Sequence, residues 1–335
     1  MRPQTVLIVK TSSLGDLVHT LPAITDMTRR FPTLVVDWVA EEAFADIPRL
    51  HPKVRRVIVV ALRRWRRTPW RRAVWREWSA FRSTLGSVAY DQILDHQGLI
   101  KSAVLAYLAQ GQRYGFDPGS AREPWAAFCY HQRYAVEPRQ HAVVRNRALA
   151  ALALGYDIPT DPPNYGIRTH VHTVGWEPLE RYAVCLHATS RASKTWPKEH
   201  WIALGKALAN TGWSCLLPWG NDAERQTALD LARGMPLAQV LPKLAVREMA
   251  GVLSGAGLVV GVDTGLTHLA AALGCPTVAI YTDTSPDFTG VVANEGGWAI
   301  NLGGAGQMPT PDQVIAALQP ILRGSPSDIR KNIVQ

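Results

Sequence analysis

The composition of the chain predicts two domains and one local patch of positive charge. It has 335 residues, 47% of them hydrophobic and 19% charged, which is enough apolar material for two cores and argues against global disorder. The net charge is +9. Eight arginines and one glutamate fall between 63 and 82, so this window alone carries +7. Such concentration indicates an anionic partner that is met at one place.

Apolar segments and cysteines exclude several classes of protein. No run of about eighteen apolar residues is present, and the apolar stretch near the N-terminus is too short for a signal peptide. The four cysteines, Cys129, Cys185, Cys215 and Cys275, form no CxxC pair, and three of them lie in apolar runs. We therefore expect reduced, buried thiols, no zinc site, and a soluble cytoplasmic protein.

Strand and helix patterns alternate through the first half of the chain. Strands are predicted at 5–10, 34–40, 54–60 and 90–95. Helices are predicted at 17–30, 41–50, 69–86 and 99–109. Continuous Val, Ile and Leu runs are typical of parallel strands that are covered on both faces.

The second half repeats this alternation. Strands are predicted at 182–187, 214–218, 238–241, 258–262 and 277–281. Helices are predicted at 197–210, 221–233, 245–254 and 265–273. Residues 161–180, rich in proline and glycine, are predicted to link a domain at 1–160 to a domain at 181–335. The pattern predicts an α/β protein with two doubly wound parallel sheets.

The first candidate for chemistry is the loop at 10–16, which follows the first strand. It is small and polar, and it ends in Asp16. Loops at the carboxyl ends of such strands bind ligands, and a carboxylate there can take a proton from an acceptor hydroxyl. The position equally suits a cap for a helix that begins at Leu17, and the spacing does not separate these roles.

The second candidate is the segment 262–272, which runs from a strand through Asp263, Thr264 and Gly265 into a helix of small residues. Free N–H groups and the helix dipole favour an anion there. His268 lies one turn into the helix, within reach of the same ligand. The alternative makes Asp263 a helix cap and His268 a core residue, but the motif favours a phosphate site.

A third loop at 187–197 carries Thr189, Ser190 and Lys194 just before a predicted helix. Two hydroxyls and an ammonium suit a diphosphate whose charge grows as it leaves. An ordinary polar loop remains the alternative. The sequence has no P-loop motif and no DxD pair to hold a catalytic divalent ion, so stabilisation of the leaving phosphate is expected from Lys194 and helix dipoles without metal.

The arginine segment, residues 63–82, also contains an amphipathic pattern. Trp70, Val74, Trp78, Phe81 and Leu85 recur at three- and four-residue spacing and predict a helix with arginines beside its apolar stripe. Arginine interleaved with tryptophan suits nucleic acid, and it suits an anionic membrane or lipid head group equally well. Composition leaves both partners open.

Together these motifs resemble those of the lipopolysaccharide heptosyltransferases, and the opening Lys-Thr-Ser-Ser-x-Gly-Asp is similar to that of the heptosyltransferase I branch. The motifs that carry the resemblance lie at 9–23, 95–102, 186–190, 194–197, 217–220 and 262–269. The family implies a GT-B fold, in which two Rossmann-like domains face each other across a cleft. It also implies inverting, metal-independent transfer of heptose from ADP-heptose to the inner Kdo, an eight-carbon acidic sugar, on lipid A.

The resemblance also implies roles for individual residues. Asp16 would be the catalytic base, and Lys194 would assist the leaving diphosphate. The C-terminal domain would bind the donor through Thr189, Ser190, Lys194, Glu224, Leu244, Asp263, Thr264, Gly265 and His268. Ser190 stands where the family has a second threonine, and Leu244 stands where it has a methionine. The N-terminal domain would bind the acceptor through Lys10, Ser13, Arg63, Arg64, Arg66, Arg67 and Arg122.

The expected partners follow from these roles. They are an ADP-sugar, Kdo-bearing lipid A and the anionic inner face of the cytoplasmic membrane, for a monomer with no cofactor and no nucleic acid. The last helix is expected either to stay with the C-terminal domain or to return to the N-terminal one. Two alternatives remain: a GT-B transferase for another nucleotide sugar, such as a heptosyltransferase II-like enzyme, and a non-catalytic nucleic-acid binder.

Overall fold

Two compact units, each built on one parallel sheet, make up the protein. The computed structural model describes residues 4–167, 181–189 and 191–323. The first unit is Met1–Arg168 and the second is Thr169–Gln335. The predicted linker at 161–180 spans this division, and most of it lies outside the described residues.

The first unit is a six-stranded sheet with helices along the chain between its strands. Its strands are β1 (Thr5–Val9), β2 (Val35–Glu41), β3 (Val54–Val60), β4 (Ala89–Asp95), β5 (Gln110–Phe116) and β6 (Gln132–Tyr134). Its α-helices are α1 (Leu14–Val18), α2 (Leu21–Arg30), α3 (Asp46–Arg49), α4 (Leu62–Trp65), α5 (Arg72–Leu85), α6 (Ile100–Leu108) and α7 (Ala142–Leu154). Short 3₁₀ turns occupy Glu42–Phe44 and Pro124–Cys129.

The strand order of this sheet, β3-β2-β1-β4-β5-β6, creates a switch point. The chain winds outward from β1 through β2 and β3, then returns to place β4 on the other side of β1, and all these pairs are parallel. The loops after β1 and β4 therefore diverge above adjacent strands. Ligand sites of doubly wound sheets lie at this crevice.

The second unit has the same architecture. Its strands are β7 (Tyr182–Leu186), β8 (Ser214–Leu217), β9 (Ala238–Val240), β10 (Leu258–Val262), β11 (Thr277–Tyr281) and β12 (Ala299–Gly303). Its α-helices are α8 (Lys198–Ala209), α9 (Asp222–Gly234), α10 (Val246–Gly255), α11 (Gly265–Ala272), α12 (Pro286–Thr289) and α13 (Pro311–Arg323). The order β12-β11-β10-β7-β8-β9 places the switch point between β7 and β10.

The central strands are the apolar runs found in the sequence, and they are buried on both faces. Every residue of β7, β10 and β11 is buried, as parallel strands with helices on both sides require. Cys185 and Cys215 lie on β7 and β8, and they and Cys275 are buried thiols, as predicted. Helix α13 packs its buried Val314, Leu318 and Ile321 into the core of the second unit.

Two predicted helices of the first unit differ from the structure. The helix predicted at 17–30 is two helices, because Pro22 occupies the first turn of α2, where a missing N–H costs nothing. The first of them, α1, begins at Leu14 rather than Leu17. The helix predicted at 41–50 is a 3₁₀ turn followed by the four-residue α3, since Pro48 is compatible only with a first turn.

The apolar stripe predicted in the arginine segment is correct except at its start. Phe81 and Leu85 are buried, and Val74 and Trp78 pack beside them against the core. Trp70 precedes α5 and is 75% exposed, so it does not belong to the stripe. Across the described residues, no helix combines the length and the apolar character needed to cross a membrane.

Candidate functional sites

The loop between β1 and α1 is fixed by the side chain of Gln97, which follows β4. The Gln97 carbonyl oxygen accepts hydrogen bonds from the Thr11 N–H at 2.9 Å and the Ser12 N–H at 3.2 Å. Its amide group donates to the Ser12 carbonyl at 2.6 Å. One buried amide therefore satisfies three backbone groups and joins the two loops of the switch point.

Asp16 lies in the first turn of α1, inside the helix rather than ahead of it. Its Oδ2 accepts from the N–H and the hydroxyl of Ser13, both at 2.9 Å. The capping alternative is right in that the carboxylate stabilises the start of a helix. It is wrong about the position of that start, because α1 begins at Leu14 and its N-cap is Ser13. The second oxygen, Oδ1, lies 3.9 Å from the Lys10 ammonium.

Cations surround this carboxylate and keep it ionised. Arg122 lies 3.9 Å from Asp16 Oδ2. Burial would raise the pKa of Asp16, but the Lys10 charge, the Ser13 N–H and Arg122 outweigh it and lower the pKa to about 2. Lys10 is buried, donates to the His96 carbonyl at 2.8 Å, and has its own pKa lowered by burial. The structure therefore brings together the predicted residues Lys10, Ser13, Asp16 and Arg122.

Lys101 belongs to the same region, although sequence reasoning did not single it out. Its ammonium lies 3.4 Å from the Ser12 hydroxyl. Burial lowers its pKa, and the charges of Arg63 and Arg66 lower it further, which means that these arginines approach it. Two of the four acceptor arginines predicted within the arginine segment therefore act electrostatically on Lys101, and so do the carboxylates of Glu41 and Glu123. The available signal was the motif at 95–102, which contains this lysine.

The other two arginines of this group differ from each other. Arg64 bonds to Glu42 at 3.1 Å and to Glu77 at 2.9 Å, and these carboxylates raise its pKa. Its guanidinium is therefore already paired, and it connects α4 and α5 to the turn after β2. Arg67 is exposed. Among the predicted acceptor residues, Arg64 is the one whose contacts best suit a structural role, which is to hold these elements together.

In the second unit, Asp263 is the centre of a dense polar cluster after β10. Its Oδ2 accepts from the Lys194 ammonium at 2.5 Å and from the Thr284 hydroxyl at 2.7 Å. Its Oδ1 lies 3.7 Å from His268 Nε2. Burial would raise the pKa of Asp263, but His268, Lys194 and Thr284 outweigh it and hold the pKa well below its usual range. Sequence reasoning missed Thr284, which follows β11 without any recognisable motif.

The loops of the second switch point meet at this cluster. The Thr189 hydroxyl donates to the Asp263 carbonyl at 3.4 Å, and Lys194 comes from the 3₁₀ turn Ala192–Lys194. Thr264 is the N-cap of α11 and Gly265 is its first residue, so the helix start lies beside the lysine. Ser190, predicted to assist them, lies outside the described residues. Lysine has three donors, and Asp263 occupies one, which leaves the others for a phosphate.

The two remaining predicted donor residues lie beyond the neighbouring strands. Glu224 accepts from the Gly220 N–H at 2.7 Å in the first turn of α9, and its charge acts on His187 at the end of β7. Leu244 is half-buried ahead of α10. Trp219 joins these loops by donating to the Leu241 carbonyl at 2.7 Å. It is a further aromatic surface that sequence reasoning did not identify.

Where the structure is described, no group of three or more His, Cys, Asp or Glu side chains is arranged to hold a metal ion. Lys194 and the start of α11 are instead the positive groups that the second switch point presents.

Known proteins share this architecture. The model of glycosyltransferase family 9 (heptosyltransferase) matches residues 78–310. Lipopolysaccharide heptosyltransferase 1 of Pseudomonas aeruginosa is 48% identical over 286 residues, which cover 85% of this chain and 80% of that protein. The same enzyme of Escherichia coli strain K12 is 46% identical and is covered to 90%.

A solved structure extends the comparison to three dimensions. The structure of E. coli heptosyltransferase WaaC with ADP-2-deoxy-2-fluoro heptose superimposes with a TM-score of 0.86 and 42% identity, over 95% of this chain and 99% of that one. The predictions of a GT-B fold and of a transferase are confirmed, as is the resemblance carried by the motifs. The chain belongs to glycosyltransferase family 9, the heptosyltransferases.

Proposed function

We propose that this enzyme transfers L-glycero-D-manno-heptose from ADP-heptose to the inner Kdo of Kdo-bearing lipid A, with inversion and without a metal ion. It acts as a monomer at the inner face of the cytoplasmic membrane. The first unit presents the acceptor hydroxyl and the second presents the activated sugar.

The chemistry of the first unit rests on Asp16. An acceptor hydroxyl that donates to its carboxylate loses a proton as the oxygen attacks the anomeric carbon of heptose. Lys10 and Arg122 keep the carboxylate ionised before attack, and Arg122, Arg63, Arg66 and Lys101 offer charges to the acidic groups of the acceptor. Arg67, which is exposed, adds to the basic segment that recruits this substrate, whereas Arg64 is already paired with Glu42 and Glu77.

The second unit handles the leaving group. As the bond between heptose and ADP breaks, negative charge grows on the diphosphate. Lys194, the hydroxyls of Thr189 and Ser190, and the start of α11 at Thr264 and Gly265 stabilise that charge. Asp263 orients Lys194 and His268, while Glu224 and Leu244 contact the nucleoside.

One observation supports this assignment above the others. A half-buried, ionised carboxylate flanked by cations occupies the first switch point, and a lysine beside a helix start occupies the second. Base catalysis on an acidic acceptor sugar needs a carboxylate with cations around it. Departure of a diphosphate needs positive groups such as the lysine and the helix start. The donor named in the WaaC structure, a fluorinated ADP-heptose, agrees with the second site.

The test is a transfer assay with ADP-heptose and Kdo-bearing lipid A, read by product mass. We expect one heptose to be added, with inverted anomeric configuration by NMR, at equal rates with and without EDTA. Transfer from another nucleotide sugar and not from ADP-heptose would reject the donor. A requirement for Mg²⁺ would reject the metal-independent mechanism.

A further inference from the structure

An exposed apolar face lies on α6 and on the 3₁₀ turn Pro124–Cys129, away from the residues assigned to chemistry. Trp125 is 72% exposed, Phe128 65% and Tyr107 62%. Ile100 and Val104 are each nearly half exposed, and with Tyr107 they recur at a spacing of four and three residues, which places them on one side of α6. Single exposed apolar residues are ordinary, but a cluster of five on adjoining elements marks an interaction surface.

The two elements that carry these five residues are held side by side. Ala103 of α6 is buried against Ala126 and Ala127 of the 3₁₀ turn, which fixes the two elements side by side. The rings of Trp125 and Phe128 pack 5.6 Å apart. Arg113 lies over the Tyr107 ring at 5.0 Å and also donates to the Cys129 carbonyl at 2.7 Å, so it bridges the elements.

The composition of this face matches a lipid-water boundary. Tryptophan and tyrosine are enriched where apolar chains meet polar head groups. Arg113 and Arg133 border the face, the latter over the Phe128 ring at 5.7 Å, and arginines in such positions attract anionic head groups. A protein partner would need an equally apolar surface, whereas a bilayer supplies the apolar layer and the anions together.

The same face leads to the acceptor site. Ile100 and Val104 also line a cavity of about 590 Å³, whose wall includes Trp78, Leu99, Arg66 and Lys101. Lys101 in turn contacts Ser12 in the loop ahead of α1, the helix that carries Asp16. A lipid whose chains remain in the bilayer therefore has a partly apolar path toward the carboxylate, and its polar end is lined by Arg66, Lys101 and Glu123.

We propose that Ile100, Val104, Tyr107, Trp125 and Phe128 insert into the interfacial layer of an anionic membrane and dock the enzyme there directly. The inference rests on the proposed function only in naming the acceptor that this position serves. Membrane binding itself does not depend on acceptor, donor or turnover.

The test is flotation of the full-length protein with vesicles that contain no lipid A. We expect it to float with phosphatidylglycerol-phosphatidylethanolamine vesicles and much less with phosphatidylcholine. The double variant Trp125→Ser/Phe128→Ser should lose binding by roughly tenfold or more, since burial of one aromatic side chain is already worth about that factor. Trp75→Ser is the matched control, because Trp75 is 64% exposed on α5 outside this face.

Two further measurements keep the result interpretable. The double variant should retain its thermal midpoint and its rate with a water-soluble, deacylated Kdo acceptor. Lipids brominated along their chains should quench the tryptophan fluorescence of the wild type more than that of the Trp125→Phe variant. Flotation of the double variant at the wild-type level, or loss of flotation in Trp75→Ser alone, would overturn the proposal. The proposal would also fail if the wild type did not bind vesicles but formed a dimer, and if the double variant were monomeric.

Discussion

The base function that we propose for Asp16 uses the same carboxylate that stabilises the start of α1. Its Oδ2 accepts two hydrogen bonds from Ser13, which stabilise the start of α1, while a base needs a free lone pair directed at the acceptor. Each carboxylate oxygen has two acceptor positions, so the functions are compatible. A carboxylate with so low a pKa is a weak base at rest. Proton transfer becomes favourable only as the hydroxyl oxygen donates an electron pair to the new bond, because its proton then becomes strongly acidic.

Asp16→Asn tests this assignment. The amide keeps an oxygen for Ser13 but cannot accept a proton, so we expect turnover to fall roughly a hundredfold or more. Binding of ADP, measured by its effect on thermal unfolding, should stay unchanged. Near-normal turnover would leave Asp16 with its helix-start role alone.

Lys10 controls the ionisation of Asp16, and this makes a prediction about pH. Lys10 lowers the pKa of Asp16, so Lys10→Met should raise it. In the wild type kcat/KM should stay flat from about pH 8 to about pH 5, because the base is ionised throughout. In Lys10→Met the acidic fall should move to higher pH. An unchanged acid limb would show that Lys10 does not set the charge of the base.

The pair of Lys194 and Asp263 permits a double-mutant cycle. Asp263→Asn removes the charge that orients Lys194, and Lys194→Ala removes the charge that meets the diphosphate. Each should weaken ADP binding in calorimetry. Since they are in direct contact, the double variant should lose less than the sum, with a coupling of about 0.5–3 kcal/mol. Additive losses would mean that Asp263 acts independently of Lys194.

At the scale of elements, the sequence predicts the strands that consist of apolar runs. It does not predict the strands that form only because a neighbouring strand pairs with them. The strands β1, β7, β10 and β11 are continuous apolar runs and were all found. Strand β5, with the sequence Gln-Gly-Gln-Arg-Tyr-Gly-Phe, has no such run and exists because β4 offers it a partner. The edge strand β6, of three residues, is too short to leave a pattern.

Helix α7 was missed for a different reason. Its buried residues include Asn146 and Arg147 and are spread around the helix, so no amphipathic period marks it. The same limit applies to the sites. Asp16, Lys194 and Asp263 follow strands in recognisable motifs, whereas Gln97 and Thr284 act through contacts that only the folded sheets create.

The burial of Arg147 gives a prediction about stability. It joins α7 to α2 by donating to Asp26 at 2.6 Å, and both side chains are almost completely buried. Arg147→Met leaves the Asp26 carboxylate without its cation, and we expect the free energy of unfolding to fall by about 3–5 kcal/mol in urea denaturation.

Asp161 supplies the matched control for that experiment. It also pairs with Arg147, at 2.8 Å, but its side chain is 56% exposed. Water can replace this contact, so Asp161→Asn should cost at most about 1 kcal/mol. A loss below that value for Arg147→Met would show that the buried pair contributes little.

At the scale of the whole molecule, the positive charge is concentrated in one segment. The arginine segment carries +7 of the net +9, and the structure separates its members by function. Arg64 is paired with Glu42 and Glu77, whereas Arg63 and Arg66 act electrostatically on Lys101. Recruitment of the acidic acceptor should therefore depend on Arg63 and Arg66 much more than on the total number of arginines in the segment.

The salt dependence of acceptor binding tests this division. Each basic contact to an anionic surface is worth about 1 kcal/mol, so Arg63→Gln/Arg66→Gln should raise the acceptor KM roughly tenfold or more. Since salt screens exposed charges over about 10 Å at 0.1 M, the wild-type KM should climb with NaCl and that of the double variant should climb less steeply. Arg64→Gln should preserve the wild-type slope, because its charge is already neutralised. ADP-sugar binding should not change in any of them. If the double variant kept its acceptor KM but lost affinity for RNA or DNA, the segment would serve nucleic acid instead of the glycolipid.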